Sequence, residues 1–254
     1  MNILVCVKRV PLTGGRITLT EDEQAIQTRH LGFTVSPHEE CAAEEAIRLV
    51  EQHGGQSTVL TLGPAEAEEQ LRDMMAIGID RGIHLVTDGG EWDPQATAAA
   101  IVDAIRAEAE PFDLLLFGNE SADAGNYQVA IRVAAALGLP CVNGVKGISV
   151  DGGTVRCEQE VGGGRDVYEV PMPAVVSVLE GINLPRYPSV PGRMRAKRKP
   201  LASAEPARAG GPGSRLQMVR LVLPPSSGKQ AEVLGTGPEA AAAVVQILQD
   251  IGVM

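Results

Sequence analysis

The segment Gly118 to Ala134, GNESADAGNYQVAIRVA, carries the most chemical information in the chain. An apolar run precedes it and a helical pattern follows it. Gly118 and Gly125 let a backbone approach an anion closely. The start of the following helix offers free N–H groups and partial positive charge, which together suit a phosphate. An ordinary strand-to-helix connection fits the same residues. Ser36-Pro37-His38-Glu39 is a second helix start, with an N-cap Ser, Pro at the first helical position and Glu at the third. By itself it reads as a cap, and His38 there reads as a solvated side chain. Gly63-Pro64 is a third start of the same kind.

Other matches do not reach chemistry. Gly235-Thr236-Gly237-Pro238-Glu239-Ala240 fits the dinucleotide fingerprint, but too little chain follows it for a second strand and a ribose-binding acid. Gly228-Lys229 lacks the rest of a P-loop. Ser226 to Lys229 fits SxxK without partner motifs. Gly162 to Gly164 reads as a hairpin turn. Cys6, Cys41, Cys141 and Cys157 form no CxxC, and the four histidines show no metal spacing. This cysteine usage suits a reducing cytosol, so a cytoplasmic location is expected. No nucleophile or general base stands out, and no metal is expected.

Five strands interleaved with helices must position these loops. Asn2–Val7, Ser57–Leu62, Ile83–Val86, Asp113–Phe117 and Pro173–Leu179 are apolar enough to be buried on both faces. Helices are expected from Ser36 to about Gln52, Gly63 to Ile77, Asp93 to Ala109 and Asn126 to Leu137. A short ribbon is expected at Arg16–Leu19. Gly147–Val150 and Thr154–Val161 read as an antiparallel hairpin, with Asp166–Val170 as a further strand. The fold class is therefore α/β: a doubly wound, mostly parallel sheet of the adenine-nucleotide-binding, Rossmann-like type, with an antiparallel hairpin extension. Residues 1–200 form this domain. Leu201–Arg215 reads as a linker, Leu216–Val222 as a lone strand, and Thr236 to about Ile251 as a capped helix. Such an arm, 201–254, cannot bury its own faces and must pack on something else.

Hydrophobic residues make up 44% of the chain and aromatic ones 3%, so the core is built from Val, Leu, Ile and Ala. Few rings remain for stacking on bases. The net charge of −10 is unevenly spread. Residues 1–185 hold 28 acidic and 12 basic side chains, and residues 186–254 hold 4 and 10. The acidic body argues against nucleic acid. No run of residues is long and apolar enough to span a membrane, and no signal peptide is apparent. The basic run from Arg186 to Lys199 reads as a solvated loop, a nucleic-acid patch or a docking loop for acidic protein partners, with Val190 and Met194 as apolar anchors.

These pieces together resemble the electron transfer flavoprotein β-subunit family over nearly the whole chain. The resemblance rests on VCVKRVP at the N-terminus, Ser36-Pro37 with Glu44-Glu45-Ala46, Gly63-Pro64, Ala76 to Gly82, GNESADAG and NLPRYPSVPGRMRAKRK from Asn183 to Lys199. It implies a heterodimer with an α subunit, an FAD held mainly by that subunit, and a structural AMP in this one. Carried over residue by residue, AMP would contact Cys6, Ser36, Pro37, His38, Glu39 and Leu62. It would also contact Asp123, Ala124, Gly125, Asn126, Tyr127, Gln128, Val129, Ala130, Ile131, Arg132, Val133 and Ala134. The resemblance makes about 178–200 a partner-recognition loop, with Tyr187, Val190, Pro191, Met194, Arg195 and Lys197 as docking residues. The arm would wrap the α subunit.

The implied function is electron carriage from flavin dehydrogenases, such as acyl-CoA dehydrogenases, to a quinone oxidoreductase or similar acceptor. No catalytic residue is expected in this chain. An electron-bifurcating relative, with FAD in the AMP pocket, and a stand-alone AMP- or ATP-binding sensor are the alternatives. The sequence departs from the family at His38, where Phe is common near the flavin, and at Leu184, where Glu is commoner. Arg193, Arg195 and Arg198 stand where Lys or an apolar residue is frequent.

Overall fold

A computed structural model describes residues 1–12, 14, 17–206, 218–225 and 232–254. Its centre is β1 (Asn2–Cys6), buried on both faces. It pairs in parallel with β4 (Gln56–Gly63) on one side and β6 (Leu114–Gly118) on the other. Side chains alternate across a strand. Ile3 and Val5 therefore enter one core with α1 (Pro37–His53) and α2 (Glu68–Ile77). Leu4 and Cys6 enter a second core with α3 (Pro94–Ala107) and α4 (Val129–Leu137). Both cores are aliphatic, apart from rings such as Phe112 and Phe117 in the second.

Among the described residues, the main sheet has nine strands in the order β11-β5-β4-β1-β6-β10-β7-β8-β9. Here β5 is Arg81–Val86, β7 Cys141–Asp151, β8 Thr154–Val161, β9 Gly164–Pro171, β10 Ala174–Val178 and β11 Leu201–Ala204. Pairing is parallel from β11 to β7 and antiparallel from β7 to β9. This is the expected doubly wound, mostly parallel architecture with its hairpin extension.

Several local expectations need correction. The antiparallel ribbon is formed by β2 (Arg9–Pro11) and β3 (Phe33–Val35). At the expected ribbon, Leu19 makes one bridge to Ile26, and Arg16 lies outside the described residues. The last helix of the body starts at Val129 rather than Asn126, because Gly125 and Tyr127 adopt φ of +53° and +55° and break the helical path. Strand β7 begins at Cys141, six residues earlier than the hairpin pattern suggested. Its first part pairs with β10, which its polar residues concealed. Residues 190–196, read as loop, form the short helix α5 (Val190–Ala196). Leu201–Ala204, read as linker by composition, is an edge strand. It is brought into register by the Gly82 N–H donating to the Pro200 carbonyl, and Leu201 packs on the first core.

The chain divides into two units, Met1–Val219 and Arg220–Met254. In the second, a 3₁₀ turn at Pro238–Ala240 leads into α6 (Ala241–Asp250), with Gly237 rather than Thr236 at the N-cap of the turn. Val244, Val245 and Ile247 on α6 are exposed. Of the expected strand Leu216–Val222, Leu216 and Gln217 lie outside the described residues, and Met218–Val222 form none. Among the described residues no helix is long and apolar enough to cross a membrane.

Candidate nucleotide crevice and docking segment

From β1 the chain winds through α1 to β4 and β5. From β5 it crosses back through α3 to β6, on the far side of β1. The carboxyl ends of β1 and β6 therefore flank the switch point, where an open α/β sheet binds ligands. Cys6 ends β1, Gly118 ends β6, and Ser36 to Glu39 form the start of α1 between them. The approach is close. A Cβ on Gly118 would lie 2.6 Å from Glu39 Cγ, 2.9 Å from the Glu39 nitrogen and 3.1 Å from His38 Cβ.

Four side chains tie this start together. Glu39 is 7% exposed, and its Oε2 accepts from the backbone N–H of Lys8 at 3.1 Å and of Ser36 at 3.3 Å. Ser36 Oγ accepts from the N–H of Ala122 at 3.0 Å, binding the α1 start to the loop after β6. Lys8 Nζ lies 2.6 Å from Asp123 Oδ2 in that loop. Burial pushes the Glu39 carboxyl up to about 8, against the two N–H groups and Lys8, which favour its charge. Burial, and then the charge of Glu39, push the Cys6 thiol far above its ordinary range, so it is no nucleophile. Asp123, drawn upward by burial, is nevertheless held below the usual carboxylate range by Lys8.

The expected contact residues divide into groups. Cys6, Ser36, Pro37, His38, Glu39 and Asp123 meet at the crevice, and Leu62 lies near the carboxyl end of neighbouring β4. Ala124, Gly125, Asn126, Tyr127 and Gln128 form the loop that leads to α4. The first N–H groups of α4, from Val129 onward, have no partner within the helix. Ala130, Val133 and Ala134 pack into the second core, whereas Ile131 and Arg132 are exposed. Among the described residues, His38 Nδ1 is buried without a hydrogen-bond partner. The orphaned His38 nitrogen and the glycine-bent loop would suit a nucleotide in this crevice, while the missing Cβ at Gly118 makes room for the α1 start itself. Sequence reading missed Lys8, although a cation immediately after the central buried strand was a usable signal.

The second feature is the segment from Asn183 to Lys199, displayed outward yet held from beneath. Asn183 Nδ2 donates to the Cys41 carbonyl at 3.0 Å and to Glu45 Oε2 at 2.9 Å. Arg186 grips Glu44 through Nε at 2.9 Å and Glu51 through Nη1 at 2.8 Å. Burial opposes the charge of Glu44, but hydrogen bonds from Arg186 and Arg48 hold its carboxyl below the ordinary value. At the far end, Lys199 Nζ donates to the carbonyls of Met75, Gly78 and Ile79, completing the C-terminal end of α2 with a cation. Ser189 caps α5 by accepting from the Gly192 N–H at 3.1 Å. Gly192 lies so close to α2 that an added Cβ would come within 2.4 Å of the Ala76 carbonyl oxygen.

This frame displays apolar groups to solvent. Tyr187 is 94% exposed, Val190 77% and Met194 59%, and Leu184, Pro191, Arg195 and Lys197 are exposed as well. The expected docking residues thus share one surface segment.

Comparison with known proteins agrees with this geometry. The family model described as electron transfer flavoprotein domain matches residues 25–209. The chain is 38% identical over 227 residues to the electron transfer flavoprotein subunit beta of Syntrophomonas wolfei, covering 89% of this chain and 87% of that one. It is 35% identical over 205 residues to the protein of the same name from Bacillus subtilis, covering 81% and 79%. With the one from Bradyrhizobium diazoefficiens it shares 33% over 237 residues, 92% of each chain. A switch-point crevice, a framed apolar segment and relatives aligned along most of the chain lead to one assignment: this chain belongs to the electron transfer flavoprotein β-subunit family.

Proposed function

We propose that this chain pairs with an α subunit as a two-subunit electron carrier, with FAD held mainly by the α subunit and AMP in the switch-point crevice. The carrier takes electrons from flavin dehydrogenases, such as acyl-CoA dehydrogenases, and passes them to a quinone oxidoreductase or similar acceptor. FAD supplies the redox chemistry when bound. The residues of this chain bind, orient and dock. AMP would be held by the loop from Asp123 to Gln128, the start of α4 and the Ser36–Glu39 turn, and its role is structural. The arm beyond Arg220 would wrap the α subunit, burying the apolar side chains that α6 exposes.

The observation that carries this reading is the framed apolar segment around Val190. An exposed aliphatic anchor, surrounded by Arg193, Arg195, Lys197 and Arg198, suits brief docking to an acidic partner. The test is rapid mixing of the co-purified heterodimer with a reduced acyl-CoA dehydrogenase, followed by flavin absorbance. Reduction of the heterodimer flavin within the mixing experiment supports the reading. A flavin that stays oxidised with every flavin dehydrogenase tried would contradict it.

A further inference from the structure

The crevice has an electrostatic problem that its position alone does not solve. It is offered to an anion, yet acids line it. Asp123 lies in the loop after β6 and Glu120 accepts from the hydroxyl of Tyr127 nearby, whereas Glu39, lifted to about 8 by burial, is mostly protonated at neutral pH and adds little charge. A phosphate placed here would lie near the Asp123 carboxylate, and at short range one uncompensated charge outweighs a helix terminus.

Among the described residues, Lys8 is the cation shown paired with a carboxylate of this loop. Arg9 is stacked on the Phe33 ring, 3.3 Å from its centroid. Arg132 is bound to Gln128 Oε1 through Nε at 3.1 Å and Nη2 at 2.9 Å. Lys8 is fixed twice: its backbone N–H donates to Glu39, and its ammonium meets Asp123 at 2.6 Å. The Asp123 side chain is 22% exposed, so solvent screens it only in part. Asp123 also accepts from the Ala124 N–H at 2.7 Å, which places its charge beside the loop N–H groups themselves.

We propose that Lys8 is a positioning residue for the nucleotide: by pairing with Asp123 it cancels the loop's own carboxylate, so that the crevice accepts a phosphate. Lys8 acts through Asp123 and does not itself ligate the phosphate. This rests on the AMP reading above.

The test uses the co-purified heterodimer and its Lys8→Met, Asp123→Asn and Lys8→Met/Asp123→Asn variants. AMP is the probe, measured by extraction and by titration into nucleotide-depleted protein. Lys8→Met is expected to weaken AMP by about tenfold or more, the scale of one charge uncovered at a partly screened site. Asp123→Asn, which keeps an oxygen for the Ala124 N–H but loses the ion pair, is expected to weaken AMP by less than Lys8→Met does. The double variant recovers most of what Lys8→Met loses, because no carboxylate then needs cancelling. FAD content is expected to be unchanged throughout.

Failure of the double variant to recover AMP would overturn the proposal, since that is the result for a lysine in direct contact with phosphate. An unchanged affinity in Lys8→Met overturns it too. Should Lys8→Met not assemble, the double variant decides alone: it assembles and holds AMP, or the proposal fails. Wild-type heterodimer that neither carries nor binds AMP removes the parent reading, a result distinct from either failure above.

Discussion

Glu39 shows how burial and hydrogen bonding contend at a single carboxylate. Two N–H groups and Lys8 favour its charge, yet burial prevails and lifts it to about 8. The groups facing it are Cys6 at the end of β1, Lys8 just after it and Asp123 from the loop, with His38 beside it on its own turn. Its folded pKa lies above the unfolded value near 4.5, so the fold binds the extra proton between the two. Its stabilising share is complete below about pH 4.5 and is lost as pH rises toward 8. Glu39→Gln keeps an oxygen for both N–H groups and cannot ionise. Denaturant melts across this window should show a flatter pH profile for the variant, with its largest relative gain near pH 8. Val190 gives a second test at this scale. Val190→Asp places a carboxylate on the exposed anchor without touching the crevice. Flavin reduction by a dehydrogenase should fall at least about tenfold, the usual weight of an interface hot spot, with FAD and AMP content unchanged. These two residues differed in legibility. Val190 stood out as an apolar residue among basic ones. The part played by Glu39 did not, because a capping Glu and a buried Glu look alike until the fold brings Lys8 beside it.

At the scale of elements, the crevice depends on α1 seating directly on the end of β6. Gly118→Ala would drive a methyl group into Glu39, and overpacking of this kind costs about 1–3 kcal/mol. Chemical denaturation should show that loss, together with loss of AMP, because the α1 start must lift from the loop. The docking segment depends on its frame. Arg186→Gln leaves the buried Glu44 carboxylate with Arg48 alone and should cost about 1–3 kcal/mol by the same measurement. Docking should weaken although every exposed apolar group is retained. The central strands and the helices between them were legible, since apolar runs, glycine stops and the Ser36-Pro37 cap act over a few residues. The cap at Asp93 was equally local, and its carboxylate accepts from the N–H groups of Gln95 and Ala96. Helix α5 and strand β11 were not legible. Their positions come from Arg186 on Glu44 and Glu51, Gly192 against Ala76 and Lys199 on the end of α2, contacts that span more than a hundred residues.

Across the whole sequence, the acidic body and the basic later part differ in charge. The proposed nucleotide crevice lies in the acidic part, where the proposal gives a local cation its role. The basic stretch frames the docking surface, where charge steers encounter more than it holds the complex. Dehydrogenase-driven flavin reduction should therefore slow as ionic strength rises past the range where the screening length falls to about 8–10 Å. A rate independent of salt would remove the steering role. The fold class was readable from the order of strands and caps. The ligand was not legible from residue spacing, because a phosphate site of the proposed kind, made of backbone N–H groups, would leave few side chains to recognise. The most direct measurement is therefore chemical: purify this chain with its α subunit, denature the complex, and count the released cofactors. One FAD and one AMP per heterodimer is the expected result. Two flavins and no AMP would instead mark an electron-bifurcating carrier, and a chain that purifies alone and colourless would contradict the assignment as a carrier subunit.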